Sequence, residues 1–127
     1  MFHVVESSKS FSEVIFDLEP VVQRLGFVML HSSDLGEILR RRESAFDEEC
    51  AVFDVTNFRL MDGLLAAERR LAAVLPWRIV VYTEDGVTRI GLLRPESFMA
   101  ALRGAAAGDP LAHELEERLL QIVTEVR

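Results

Sequence analysis

The sequence predicts one α+β domain, with a mixed, mainly antiparallel sheet of about five strands and helices packed on one face. Three observations carry that expectation. A β-hairpin is written around Asp85-Gly86. Strand-period and helix-period stretches alternate along the chain in the order β-α-β-α-β-α-β-β-α-α. The 127 residues, 50% of them hydrophobic, are enough for one ordinary core.

The hairpin comes from two β-branched, apolar-rich arms that flank Asp85-Gly86, a dipeptide suited to a two-residue type I′ turn. That loop sets a register: Glu84 opposite Val87, Thr83 opposite Thr88, Tyr82 opposite Arg89, Val81 opposite Ile90, Val80 opposite Gly91 and Ile79 opposite Leu92. Ile79, Val81, Ile90 and Leu92 then share a core face with the Thr83/Thr88 pair. Arg78, Val80, Tyr82, Arg89 and Gly91 share the other, mixed face.

Taken from the N-terminus, Phe2 to Ser7 reads as a short strand. Ser10-Phe11-Ser12-Glu13 matches a capping box, so a helix is expected from Phe11, with Phe11, Val14, Ile15, Leu18, Val21, Val22 and Leu25 as its apolar face and Gly26 at its left-handed end. Pro20 falls on the polar side of that helix and predicts a bend rather than a break. Phe27 to His31 reads as a second strand, Ser32-Ser33-Asp34 as a turn and N-cap, and Leu35, Ile38 and Leu39 as the apolar edge of a short helix. Cys50 to Thr56 reads as a third strand, with Ala51, Phe53 and Val55 on one face and Cys50, Val52, Asp54 and Thr56 on the other. Asn57 caps a helix expected to run from Phe58 to Leu75, with a polar interruption at Glu68, before Pro76 ends it. After the hairpin, Pro95 opens a helix that Gly104 ends, Ala105-Ala106-Ala107-Gly108 connects, and Asp109-Pro110 starts a last amphipathic helix.

Charge and motif content narrow the function classes. The net charge of -7 disfavours nucleic-acid binding. The one basic run, Arg40-Arg41-Arg42, sits among acidic residues near a helix C-terminus, where the dipole alone accounts for it. No apolar run approaches the ~20 residues that cross a bilayer, so no membrane partner is expected. The start of the chain lacks the pattern of a secretion signal and Cys50 is the single cysteine, which together point to a reducing cytoplasm. No phosphate-binding glycine loop, nucleophile elbow, paired-cysteine zinc pattern or histidine-glutamate helix motif is present, so neither a cofactor nor a catalytic residue is assigned.

The succession Asp34-Leu35-Gly36-Glu37-Ile38-Leu39, Glu49-Cys50-Ala51-Val52-Phe53-Asp54-Val55-Thr56-Asn57, Leu75-Pro76-Trp77-Arg78-Ile79-Val80-Val81-Tyr82, Asp85-Gly86 and Leu93-Arg94-Pro95 resembles the domain of unknown function 302 family over nearly the whole chain. The resemblance implies a TATA-binding-protein-like α+β fold, often homodimeric, from bacterial or archaeal cytoplasm, with no assigned activity and with sulfur-metabolism genes as occasional neighbours. In the branch it most resembles, cysteines occupy the positions held here by Thr56 and Trp77. A two-cysteine redox or metal role is therefore not expected, although Cys50 remains.

Four features are weighed as sites. Cys50 has acidic neighbours, Asp47, Glu48 and Glu49, which disfavour its thiolate, so an inert thiol is the plainer reading and a nucleophile or persulfide carrier the sharper one. His3, His31 and His113 lie on separate elements without metal-ligand spacing; His31 and Cys50 are the least implausible pair. Asp54, on an apolar strand and followed by Thr56 and Asn57, is the most unusual polar placement. With Trp77 as an apolar wall, these residues are expected to line a small-molecule pocket between that strand and the following helix; the plainer reading is an exposed or edge-strand carboxylate. The function expected is a non-catalytic ligand-binding or assembly module using Asp54, Thr56, Asn57 and Trp77 with Cys50 nearby, and the alternative is a sulfur-handling protein using Cys50.

Overall fold

A computed structural model of the chain describes residues 1–103 and 109–127. The expected helix end at Gly104 and the connector after it lie outside the described residues. Five strands form one sheet in the order β1-β5-β4-β3-β2, namely β1 (Phe2–Ser7), β2 (Val28–Asp34), β3 (Cys50–Thr56), β4 (Trp77–Glu84) and β5 (Val87–Leu93). Every neighbouring pair is antiparallel, so the sheet has no parallel component.

The hairpin forms with the register that its turn dictates. Glu84, Thr83, Tyr82, Val81 and Val80 face Val87, Thr88, Arg89, Ile90 and Gly91. Asp85 and Gly86 have φ of 52° and 80°, the two left-handed conformations that a type I′ turn requires. Ile79, Val81 and Ile90 are fully buried and Leu92 nearly so. β4 and β5 sit inside the sheet, with β1 added beside β5 and β3 beside β4. Gly91 permits the first of these contacts: a Cβ there would lie 3.1 Å from a Val4 methyl and 3.3 Å from the His3 carbonyl oxygen.

Helices α1 (Phe11–Arg24), α3 (Phe58–Ala67), α4 (Pro95–Arg103) and α5 (Pro110–Val126) cover the face that carries Ile79, Val81 and Ile90. Helix α1 starts at the Ser10–Glu13 capping box and runs unbroken through Pro20. Its buried residues Val14, Leu18 and Val22 meet Leu115, Leu119, Ile122 and Val126 of α5 in one cluster. Helix α5 packs against α1, α3 and α4. Ion pairs Arg24–Glu125 and Arg59–Glu114 tie α1 and α3 to it from the outside.

Two stretches depart from the sequence reading. Ser32 and Ser33 are not a turn: they continue β2 opposite Phe53 and Val52, after a register shift between Met29 and His31. The β3 ladder supplies partners for backbone groups that a turn would have left to solvent. Asp34 still caps the short helix α2 (Leu35–Arg40), its carboxylate accepting from the Glu37 amide at 2.9 Å. The helix expected from Phe58 to Leu75 stops at Ala67, because Glu68 turns to extended backbone (φ -155°, ψ 102°) and caps a 3-10 turn, Arg69–Ala73. The Glu68 carboxylate accepts from the Arg70 amide at 3.1 Å and holds the Arg70 guanidinium at 2.8 Å. Leu71 stays 2% exposed, so the apolar spacing survives while the hydrogen-bond pattern changes. Among the described residues, no helix is long and apolar enough to cross a membrane.

Candidate functional site

The second face of the sheet is built from the alternate residues of the same strands and is only partly covered: Val52 and Thr56 of β3 are buried there, whereas β1 is open. Phe2 and Val4 of β1 are 74% and 43% exposed. Val80 and Tyr82 of β4 are half-buried beside them. A groove of about 820 Å³ opens here. One wall is sheet: Val4, Val80, Tyr82 and Gly91. The other is the segment Ala73–Pro76 together with Phe98 of α4, and Phe2 stands at its margin. The Leu75–Pro76 peptide bond that leads from this segment into β4 is cis.

Trp77 fixes the junction of the two walls. Its indole N–H donates to the Leu93 carbonyl oxygen at 2.8 Å, and its ring meets Phe98 edge-on, with centroids 5.9 Å apart and planes at 77°. Trp77 is 3% exposed, so it shapes the groove from behind more than it faces solvent.

The groove holds one ion pair. Asp54 and Arg78 face each other across β3 and β4. Arg78 Nε donates to Asp54 Oδ1 at 2.9 Å and a terminal nitrogen reaches Oδ2 at 3.5 Å. The carboxylate side chain is 14% exposed and the guanidinium 60%, so the acid lies low and the base stands above it. The hydrogen bond to Asp54 raises the Arg78 pKa, which keeps the guanidinium charged. Asp54 is thus neither solvent-exposed nor on an edge strand: β3 is interior and the acid has a partner.

The five residues expected to form a site do not converge. Asp54 and Trp77 line the groove. Asn57 does not; its side-chain oxygen accepts from the Leu60 amide at 3.0 Å and its nitrogen donates to the Gly26 carbonyl at 3.0 Å, so it caps α3 and fastens the end of α1. Thr56 is 3% exposed, opposite Val28 at the end of β3. Cys50 lies at the other end of β3, opposite Tyr82, and its thiol is half-buried. Burial, then Asp34, push its pKa up. The acidic neighbour that matters is therefore Asp34, brought near by folding, rather than the adjacent Asp47, Glu48 and Glu49. The groove also lies by Ala73–Pro76 and α4 rather than between β3 and α3.

The remaining polar candidates are spread over the surface. His31 contacts the Ser33 hydroxyl at 2.9 Å and pairs in register with Asp54 rather than Cys50. His3 stands beside Arg94, and burial, then that charge, lower its pKa. Arg40 and Arg41 bond to Glu37, with Arg40 also reaching the Glu48 carbonyl at 3.1 Å, so two of the three arginines in the basic run are matched locally. Among the described residues, no three acidic, histidine or cysteine side chains are placed to hold a metal ion.

Sequence reasoning missed Arg78, Val80, Tyr82 and Phe98 as groove residues. The hairpin register had already put the first three on the mixed face. Phe98 carried no such signal, because only the packing of α4 brings it to Trp77.

Comparison with known proteins agrees with this architecture. A solved structure described as "uncharacterized conserved protein DUF302 from Bacillus stearothermophilus" superposes with a TM-score of 0.90, at 25% sequence identity, over 99% of this chain and 98% of that one. No curated protein matches the chain. The family described as "Domain of unknown function DUF302" matches residues 3–126, and the chain belongs to that family.

Proposed function

We propose that the chain is a non-catalytic binding module whose open sheet face takes a small, largely apolar ligand in the groove beside Trp77 and Phe98. The observation that carries this reading is the groove itself: about 820 Å³, bounded by aromatic and aliphatic side chains, with a single ion pair. Ligand sites have this make-up, an apolar body that supplies affinity and a few polar groups that orient. Trp77 is the only tryptophan, so its fluorescence reports on the groove wall without interference. Screening small apolar compounds by thermal shift and Trp77 emission is expected to yield ligands that Val80→Phe, which fills the groove, no longer binds. A protein that binds none of them, or a Val80→Phe variant that binds them equally well, contradicts the reading.

A second reading, assembly as a homodimer, draws on α2. Leu35, Ile38 and Leu39 are 37%, 46% and 39% exposed and share one edge of that helix. Sedimentation is expected to give a dimer that Ile38→Glu dissociates; a monomer at all concentrations dismisses it. The sulfur-carrier alternative finds less support, since a half-buried thiol with a raised pKa is a poor nucleophile. Mass spectrometry after treatment with a persulfide donor is expected to leave Cys50 unmodified, and ready modification of the folded protein would revive the alternative.

A further inference from the structure

The charged group that a groove ligand meets is Arg78, and its surroundings narrow the ligand class. Asp54 is spent: both of its oxygens face the guanidinium and little of it reaches solvent. Arg78 is not. A guanidinium carries five N–H donors, and here Nε and one terminal nitrogen turn to Asp54, while its other donors make no hydrogen bond among the described residues. Its side chain is 60% exposed, and both partners of the pair line the groove. Held in place by Asp54, the planar fork presents a fixed edge to an incoming acceptor, the geometry in which arginine binds a carboxylate. Val80 and Tyr82 continue from Arg78 along the same face of β4, and Val74, Leu75 and Phe98 stand opposite, so an apolar body anchored at the arginine has a lined path to follow.

We propose that the groove binds an amphiphilic carboxylic acid, its carboxylate on the free edge of Arg78 and its apolar body along Val80 and Phe98. This rests on the binding-module reading and adds the headgroup. The test uses three probes of equal chain length, decanoate, decanol and decylammonium, titrated against the full chain with Trp77 emission and calorimetry as readouts. Decanoate is expected to bind at least about tenfold more tightly than either other probe, the margin of one charge-assisted hydrogen bond. Arg78→Gln is expected to erase that preference. Because the variant strands the Asp54 carboxylate, the Asp54→Asn/Arg78→Gln pair is measured too, and it should likewise bind decanoate no better than decanol. Equal binding of decanoate and decanol by the wild type overturns the headgroup assignment and leaves the groove reading standing. Binding of none of the three, or decanoate binding that survives Val80→Phe, overturns both.

Discussion

The two faces of the sheet are made from the same five strands and the same alternation, yet they behave as different materials. The face under α1, α3, α4 and α5 is dry: Ile79, Val81 and Ile90 are fully buried and belong to a single cluster with the helices. The other carries Val4, Val80 and Tyr82 only partly covered, with Arg78 standing out from it. A sheet needs one closed face to be stable, and an antiparallel sheet tolerates water on the second. Each strand gives one side to the core and the other to a less covered surface, so neighbouring residues in sequence differ in what their loss should do.

Truncations on opposite sides of one strand pair should separate the two faces most widely. Ile90→Ala on the dry face is expected to cost about 2–5 kcal/mol in urea unfolding, the usual range for a fully buried large aliphatic side chain. Val80→Ala, opposite Gly91 on the open face, should cost under about 1.5 kcal/mol, since the methyl groups it loses are only partly buried. Equal losses at the two positions would show that both faces are core. A smaller effect is expected for the ion pair on the open face. A double-mutant cycle on Asp54→Asn and Arg78→Gln should give a coupling of about 0.5–1 kcal/mol, because the exposed guanidinium is screened even though the carboxylate is not. A coupling of several kcal/mol would mark the pair as a structural staple and not a ligand-facing group.

The smallest effect concerns the helix layer. His113 of α5 contacts Glu96 of α4 through Nδ1 and Glu117 through Nε2, each at 3.0 Å, and Glu116 accepts from the Glu96 amide beside them. A neutral imidazole donates from only one nitrogen, so both contacts are hydrogen bonds only when the ring is protonated. The hydrogen bond to the Glu96 carboxylate and the charges of Glu96 and Glu117 raise the His113 pKa. A raised pKa in the folded state stabilises the fold fully below the ordinary histidine value, and that contribution is lost as pH rises through the folded-state value. The Tm of the wild type is therefore expected to fall slightly more between pH 6 and pH 8.5 than that of His113→Gln. Matching profiles would show that the clamp on α4 does not depend on the proton.

Much of the architecture was legible because it rests on local chemistry. Asp85-Gly86 dictated the turn and with it five cross-strand pairs; Ser10, Asp34, Asn57 and Asp109 each cap the helix they precede. The break at Glu68 was not legible, since helical and 3-10 turns place Leu71 on nearly the same side. The site was legible only in part. Asp54 stands out as a carboxylate on an apolar strand and Trp77 as an apolar wall, and both line the groove. Thr56 and Asn57 follow Asp54 in sequence but are absorbed by a strand end and a helix cap. The partner that explains Asp54 is 24 residues away in sequence. It could have been found only by pairing β3 with β4, a step that no single hairpin signal supplies.

The division between a structural face and a proposed binding face is checked most plainly by following the backbone amides of the isotope-labelled chain by NMR as decanoate is added. Resonance shifts are expected at Val4, Arg78, Val80, Tyr82 and Phe98 and at the Trp77 indole, with the amides of Leu18, Leu119 and Ile122 unmoved. Shifts centred on α1, α2 or α5, with the groove residues silent, would contradict it.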